Sequence, residues 1–193
     1  MILGITGGTG SGKTTLLKLL ESKGFRILDC DVIYHRLLET DKALLAAIEE
    51  NFPGTVTEGV LDRKKLGRLV FAEGDRLAKL NEITHGAVRE EVIRLLEATP
   101  GNAAIDAIGL FESGISRLCD LTVAVTAPEE VRVRRLMARD NISEEYARSR
   151  IGAQRSQAEF SALCDVTLEN DGSREAFSEK CLAFLADRGI IKP

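Results

Sequence analysis

A glycine-rich segment close to the amino terminus has the residue types and spacing of a loop that binds phosphate. Gly7-Gly8-Thr9-Gly10-Ser11-Gly12-Lys13-Thr14 fits the pattern G-x-x-x-x-G-K-[ST] without a gap. Glycines let the backbone close around phosphate oxygens, whose charge is met by amide groups and by a helix N-terminus. In such a loop the lysine bridges the β- and γ-phosphates and the threonine hydroxyl ligates Mg²⁺. The segment therefore predicts binding of a nucleoside triphosphate together with Mg²⁺.

The flanking sequence predicts the elements that this loop requires. An apolar run at 1–6 indicates a buried strand, and leucines at helical spacing in 14–23 indicate a helix that ends before Gly24. Further strands are predicted at 25–28, 103–108, 121–126 and 165–169, and further helices after Pro128, Ser143 and Ser173. This order favours an α/β protein with a five-stranded parallel sheet. The stretch 32–99 has an almost wholly helical pattern, which predicts a helical insertion between the second and third strands of the sheet.

Late in the chain, seven arginines fall within 24 residues, on two predicted helices. Such a group can form a lid that neutralises the transferred phosphoryl group and excludes water. Alternatively, exposed arginines pair with glutamates four residues away, as Glu144 and Arg148 are spaced to do. The second interpretation accounts for about half of the seven, because such surface pairs are common. The residues that we assign to function are Arg139, Arg150 and Arg155.

Acidic residues at two places in the predicted sheet are candidates for chemistry. Asp29 and Asp31 end the second strand, and the carboxyl ends of parallel strands are where α/β proteins bind substrate. One of these carboxylates could accept a proton from an acceptor hydroxyl, although Asp31 could instead be the N-cap of a helix starting at Val32. Asp106 follows Ala103-Ala104-Ile105, a pattern typical of an acid that orients Mg²⁺ through water.

Composition narrows the class of protein. The chain has 193 residues, of which 29% are charged, and its net charge of −4 gives no support to binding of nucleic acid or of an anionic membrane. No apolar run approaches the ~18–20 residues that cross a bilayer. The four cysteines are scattered, which is typical of reduced thiols in a cytoplasmic protein rather than of disulfides or a zinc site. The NKxD signature of GTPases and an LSGGQ-like transporter signature are both absent.

These motifs together make the chain resemble the dephospho-CoA kinases over nearly its whole length. The resemblance rests on GITGGTGSGKTT at 4–15, LDCD at 28–31, LDRKKLGRLVF at 61–71, ITH at 83–85, LFESG at 110–114, RLMARDNISEEYARSRIGAQ at 135–154 and ENDG at 169–172. It implies a P-loop kinase core with a five-stranded parallel sheet, forming one domain over residues 1–193. It also implies a helical insertion at 33–98 that holds the acceptor and a helical lid at 135–157.

The resemblance also implies a reaction and its residues. ATP would phosphorylate the ribose 3′-hydroxyl of dephospho-CoA, with Asp31 as the base and with Lys13, Arg139 and Arg150 as further catalytic residues. The residues expected to bind ATP are Thr9, Gly10, Ser11, Gly12, Lys13, Thr14, Thr15 and Asn170, with Thr14 also on Mg²⁺. Those expected to bind the acceptor are Asp31, His85, Asp106, Phe111 and Glu112. The pattern carries no prediction of an oligomeric state.

On the acceptor side the sequence departs from the family pattern. His35 stands where the family has an arginine, with Arg36 next to it, and Gly86 stands where it has a proline. Ala107-Ile108-Gly109 replaces the usual V-P-L. These departures bear on the details of acceptor binding more than on the class of reaction. Two other functions compete with the first: a kinase of the nucleoside-monophosphate type, and a nucleotide-dependent binding or switch module without catalysis. His35 and His85 also have plain structural interpretations, as a polar helix residue and a core histidine.

Overall fold

The computed structural model describes residues 1–72 and 74–191 of the chain. Within these residues the strands are β1 (Ile2–Thr6), β2 (Arg26–Asp29), β3 (Val56–Thr57), β4 (Val60–Leu61), β5 (Ala103–Asp106), β6 (Leu121–Thr126) and β7 (Val166–Glu169). The α-helices are α1 (Lys13–Ser22), α2 (Cys30–Thr40), α3 (Lys42–Asn51), α4 (Arg63–Ala72), α5 (Gly74–Ala98), α6 (Glu129–Asp140), α7 (Glu144–Gly152), α8 (Gln157–Leu163) and α9 (Arg174–Asp187). None of these helices is long and apolar enough to cross a membrane.

Five strands form the predicted parallel sheet, in the order β2-β5-β1-β6-β7. The central strand β1 pairs in parallel with β5 on one side and with β6 on the other. Its side chains Leu3 and Ile5 have no exposed surface, as expected for a strand covered on both faces. The carboxyl ends of parallel strands meet at one edge of a sheet, and β1 leaves the sheet at that edge to enter the glycine-rich loop. The predicted fold class is confirmed.

By its internal contacts the chain divides into two compact units. The first contains residues 1–28, 101–111 and 115–193, and its core joins sheet residues such as Leu3 to Leu16 and Leu20 of α1 and to Phe177 of α9. Cys181 lies in the same core, where burial raises the pKa of its thiol to about 11. All four cysteines are free in the structure.

The second unit contains residues 29–100 and 112–114, built from the four helices α2 to α5 and a small hairpin of β3 and β4. The insertion predicted at 33–98 falls inside this unit and is described except for residue 73. The sequence indicated helices separated by turns here, and the hairpin is the difference. Glu58 and Gly59 both adopt positive φ, at 52° and 78°, which is the geometry of a tight hairpin turn between Val56–Thr57 and Val60–Leu61.

The start of α2 corrects one sequence-based alternative. The helix begins at Cys30, two residues earlier than the alternative required, and its N-cap is Asp29. Oδ1 of Asp29 accepts hydrogen bonds from the backbone N–H groups of Asp31 at 2.9 Å and of Val32 at 3.0 Å. The interpretation of Asp31 as the N-cap is therefore wrong, because Asp31 already lies in the first turn. Its carboxylate is exposed.

We expect Asp29→Ala to lower the free energy of unfolding by about 1 kcal/mol, because two amide groups at the start of α2 lose their acceptor. Chemical denaturation of the parent and the variant measures this difference. The matched control is Asp31→Asn, which leaves the cap intact and should unfold within about 0.5 kcal/mol of the parent. Equal destabilisation by the two variants would contradict the assignment of the cap.

Candidate active site

The shape of the glycine-rich loop between β1 and α1 depends on the absence of side chains at two positions. Gly7 has a φ of 137°, and a Cβ there would lie 2.1 Å from the carbonyl oxygen of Val125. Gly12 has a φ of 102°, and a Cβ there would lie 2.0 Å from Nδ2 of Asn170. Both positions combine a left-handed backbone with backbone or amide atoms that cannot move aside, so only glycine fits. The result is a concave backbone of the kind that surrounds phosphate.

The loop runs directly into the N-terminus of α1, whose first amide groups have no carbonyl partner within the helix. Lys13 is half-buried, and its Nζ donates a hydrogen bond of 2.9 Å to the carbonyl oxygen of Gly7, so its side chain folds back over the loop. Thr14 is exposed at the first turn of the helix. A cation, a hydroxyl and a helix N-terminus thus meet at one concave surface, which can hold a polyphosphate.

Thr9 of the loop is held on both sides by residues from later in the chain. Nε of Arg132 donates to the Thr9 carbonyl oxygen at 2.8 Å, and Oε1 of Gln154 accepts from the Thr9 N–H at 2.8 Å. Arg132 is only 2% exposed, and burial lowers the pKa of its guanidinium. A buried charge is retained only where polar partners replace water, and here the loop backbone is such a partner.

A second set of contacts holds the middle of the loop. Asn170 is buried, its Nδ2 donates to the Ser11 carbonyl oxygen at 2.8 Å, and its Oδ1 accepts from Nη2 of Arg135 at 3.0 Å. Nη1 of Arg135 lies 3.3 Å from the carbonyl oxygens of both Gly10 and Ser11. Asn170, which the resemblance placed with the nucleotide, therefore contacts the backbone of the phosphate loop directly.

Arg132, Arg135 and Gln154 are the residues that sequence reasoning missed. The first two belonged to the arginine-rich segment but were not chosen, and Gln154 closes the motif RLMARDNISEEYARSRIGAQ. A buried arginine needs polar partners, and this rule could have identified Arg132 as a residue that contacts the loop. The rule can be applied only when burial is known, because nothing in the local sequence distinguishes a buried arginine from an exposed one.

The arginines that were chosen for function contact carboxylates in this structure. Arg139 donates to Asp140 through Nε at 2.6 Å and through Nη2 at 2.9 Å, and Nη1 of Arg150 reaches the same carboxylate at 2.6 Å. The two guanidinium groups hold the pKa of Asp140 at about 2. Nη1 of Arg155 lies 3.8 Å from Glu159. The role of these three arginines in phosphoryl transfer stays a prediction.

Arg148 fits the alternative of a surface ion pair. It contacts Glu144, as its spacing predicted, and also Glu129 and Glu130 at the start of α6. Since all three glutamates are largely exposed, the cluster fastens α7 to α6 at the surface and is weakened by salt.

Of the expected acceptor residues, Asp106 and Phe111 belong to the first unit. Asp106 ends β5 and stands in register with Ile5 of β1, so it lies at the sheet edge where β1 enters the loop. Asp106 is half-buried. Phe111 is also half-buried.

Asp31, His85 and Glu112 belong to the second unit. His85 lies half-buried on α5, where burial lowers the pKa of its imidazole and the nearby charge of Glu112 partly offsets this effect. Arg36, the arginine next to His35, contacts the carboxylate of Glu91 on α5. Their roles in binding an acceptor stay predictions.

Comparison with known proteins agrees with this geometry. The sequence profile of the family described as dephospho-CoA kinase matches residues 1–176. The curated dephospho-CoA kinase of Enterococcus faecalis is 34% identical over 192 residues, covering 97% of this chain and 96% of the relative. The solved structure of TT1252 from Thermus thermophilus is 38% identical with a TM-score of 0.78, over 97% of both chains. That of dephospho-CoA kinase from Campylobacter jejuni is 25% identical with a TM-score of 0.69, over 98% of both. A phosphate loop of this construction in a chain matched along almost its whole length leaves one conclusion: the chain belongs to the dephospho-CoA kinase family.

Proposed function

We propose that this chain transfers the γ-phosphate of ATP to the ribose 3′-hydroxyl of dephospho-CoA, giving coenzyme A and ADP. Membership of the family assigns the chain an ATP-dependent kinase activity on dephospho-CoA in coenzyme A biosynthesis. The observation in this chain that carries the ATP half of the reaction is the loop at Gly7–Thr14, because its glycines, its lysine and the helix N-terminus together form a concave surface that suits a polyphosphate.

Our proposal for the nucleotide site assigns the loop from Thr9 to Thr15 to the ATP phosphates. Lys13 would leave the Gly7 carbonyl to bridge the β- and γ-phosphates, and Thr14 would offer its exposed hydroxyl to Mg²⁺. Hydroxyl and carboxylate oxygens suit this ion, and Asp106 at the neighbouring strand end is the carboxylate we assign to orient it. Bound Mg²⁺ would neutralise charge on the transferred phosphate. Asn170 would contribute indirectly, because its hydrogen bond to the Ser11 carbonyl oxygen holds the loop in position.

On the acceptor side we assign the base to Asp31. Its carboxylate is exposed, and Asp29 rather than Asp31 caps α2, so the carboxylate of Asp31 is available to take the proton of the 3′-hydroxyl. We assign His85, Phe111 and Glu112 to acceptor binding and residues 33–98 to the segment that holds the acceptor. Phosphoryl transfer needs little covalent help, so aiming the acceptor oxygen is the main task of these residues.

The proposal gives residues 135–157 the role of a lid, with Arg139 and Arg150 turning from Asp140 to the transferred phosphate. A polyphosphate carries more charge than one carboxylate, which supplies the driving force for this exchange of partners.

We expect a non-hydrolysable ATP analogue with Mg²⁺ to slow amide hydrogen exchange across residues 135–155 by about tenfold or more, because new contacts to phosphate order the lid. Exchange measured by mass spectrometry gives the result peptide by peptide. The internal control is α9, which should exchange at the same rate with and without the analogue. Exchange in 135–155 that does not respond to the analogue would count against a lid.

A coupled assay of ADP release tests the function as a whole. Dephospho-CoA should support turnover, and AMP or another nucleoside monophosphate should not. Turnover with a nucleoside monophosphate alone would favour a kinase of that type, and ATP binding without any acceptor-dependent ADP release would favour a switch module. We also propose a cytoplasmic location, which agrees with four free cysteines and the use of ATP, and we propose no nucleic acid or membrane partner.

A further inference from the structure

Arg132 carries a buried positive charge whose side-chain hydrogen bonds go to neutral groups. The residue is 2% exposed, its Nε donates to the Thr9 carbonyl oxygen at 2.8 Å, and its Nη2 lies 3.4 Å from Oε1 of Gln154. Glu129, whose charge also acts on this guanidinium, already pairs with Arg148 at the surface. An arginine keeps its proton even when buried, and a buried charge without a close countercharge is destabilising. A neutral donor would satisfy the same oxygens at a lower cost, so the charge itself requires an explanation.

The guanidinium of Arg132 lies directly against the glycine-rich loop. A Cβ on Gly8 would lie 2.3 Å from Nη2 and 2.8 Å from Cζ, and a Cβ on Gly10 would lie 3.0 Å from the Arg132 carbonyl oxygen. Gly8 does not have a positive φ, so its backbone conformation alone would accept a side chain. Because the guanidinium is buried and bonded to Thr9, it has little room to move aside for one. The charge is therefore packed against the backbone of Gly8 and Thr9.

A ligand on the concave surface of the loop would lie in the electric field of this charge without touching it. The guanidinium is almost fully buried against the loop, so the ligand would meet the loop backbone instead. Charges interact strongly through a protein interior, where the effective dielectric constant is far below that of water, and salt screens buried charges much less than exposed ones. Such an interaction grows with the charge of the ligand, which distinguishes it from the hydrogen bonds that shape the loop.

We propose that Arg132 is a fixed countercharge for the bound polyphosphate and acts on it through the loop backbone; this inference rests on the proposed function. A triphosphate carries one more negative charge than a diphosphate, so Arg132 would strengthen binding of ATP more than binding of the product ADP. Lys13 would contact the phosphates, whereas Arg132 would act without contact. The alternative is that Arg132 only holds Thr9 in place, in which case the charge of the ligand should not matter.

Arg132→Gln separates the charge from the hydrogen bond. Nε2 of glutamine is as many bonds from the backbone as Nε of arginine, so the variant can still donate to the Thr9 carbonyl oxygen. Arg134→Gln is the matched control, since it removes the same charge from an exposed position of α6. Titration calorimetry measures the affinities for a non-hydrolysable ATP analogue and for ADP, both with Mg²⁺, in low salt and in about 0.5 M salt. Thermal unfolding checks that each variant folds.

We expect Arg132→Gln to weaken binding of the ATP analogue by about tenfold and binding of ADP by about threefold or less, at both salt concentrations. Arg134→Gln should change either affinity by less than about twofold in high salt. Arg132→Lys keeps the charge but not the shape of the guanidinium, so it should preserve the parental preference for the triphosphate even if both ligands bind less tightly. It provides the same comparison if Arg132→Gln fails to fold.

A double-mutant cycle with Gly8→Ala tests the contact between the guanidinium and the loop. In the parent the added methyl group meets Nη2 of Arg132, and in Arg132→Gln that atom is removed. Gly8→Ala should therefore weaken binding of the ATP analogue by a larger factor in the parent than in Arg132→Gln. An equal factor in the two backgrounds would contradict the packing of the guanidinium against Gly8, and with it the proposal.

Equal weakening of the ATP analogue and of ADP in folded Arg132→Gln, or parental binding of both, would overturn the proposal and leave Arg132 as a support for Thr9. A loss that disappears in high salt would also overturn it, because that is the behaviour of an exposed charge. The same holds if Arg132→Lys loses the preference for the triphosphate. The proposed function fails separately, if the parent protein binds the ATP analogue but releases no ADP when given ATP and dephospho-CoA.

Discussion

Lys13→Ala is expected to reduce the turnover of dephospho-CoA by about 10³-fold or more while leaving the fold intact. In the structure the ammonium group of Lys13 lies over the loop, within 2.9 Å of the Gly7 carbonyl, rather than in the core. We assign it to the phosphoryl group in flight, where positive charge stabilises the transition state in a site that excludes water. The large effect follows because no other side chain of the loop between Gly7 and Thr14 carries positive charge.

Steady-state kinetics measure the loss, and circular dichroism and thermal unfolding check the fold. Lys18→Ala is the matched control, since Lys18 is an exposed lysine on the same helix α1 and should retain parental turnover. A Lys13→Ala enzyme that keeps most of its turnover would rule out the kinase mechanism described above, whatever its affinity for ATP.

Asp31→Asn is expected to lower kcat by about 10²–10⁴-fold, the usual contribution of a general base, with little change in the affinity for ATP. The substitution keeps the size of the side chain and one acceptor oxygen, and it removes the negative charge and the ability to take up the proton. Because Asp29, not Asp31, caps α2, the melting temperature should stay close to that of the parent.

The matched control makes the same chemical change two residues away. Asp29→Asn still accepts hydrogen bonds from the amides of Asp31 and Val32, since asparagine is as good an N-cap as aspartate, so it should alter neither stability nor kcat by much. A parental kcat for Asp31→Asn would remove the base from the mechanism and leave positioning as the whole of catalysis. A loss of kcat in Asp29→Asn alone would move the base to Asp29.

Features set by neighbouring residues could be predicted from the sequence. The strand at 121–126 and the helix starts after Pro128, Ser143 and Ser173 all appear where expected. Ser143 and Ser173 each accept a hydrogen bond from the N–H three residues later, so a signal contained in four residues was sufficient. The position of the phosphate loop is predictable for the same reason, since its eight residues form a recognisable motif.

Features set by distant residues could not be predicted in this way. Arg132 and Arg139 are similar in local sequence, but one is buried against Thr9 and the other pairs with Asp140 at the surface. The contact of Asn170 with Ser11 joins residues 159 positions apart. Which arginine meets the loop depends on how α6 packs beside it, and that packing is a property of the whole first unit rather than of any short pattern.

The hold on Thr9 from both sides has a consequence for how ATP binds. A flexible glycine loop would lose conformational entropy on closing around a ligand, and that loss would be subtracted from the affinity. Here Arg132, Gln154, Arg135 and Asn170 hold the loop through hydrogen bonds to its backbone. ATP therefore binds to a preorganised loop, because the conformational entropy of the loop is lost when the protein folds rather than when ATP binds. Arg132, Arg135 and Gln154 lie on α6 and at the end of α7, so any movement of those helices is mechanically linked to the grip of the loop on phosphate.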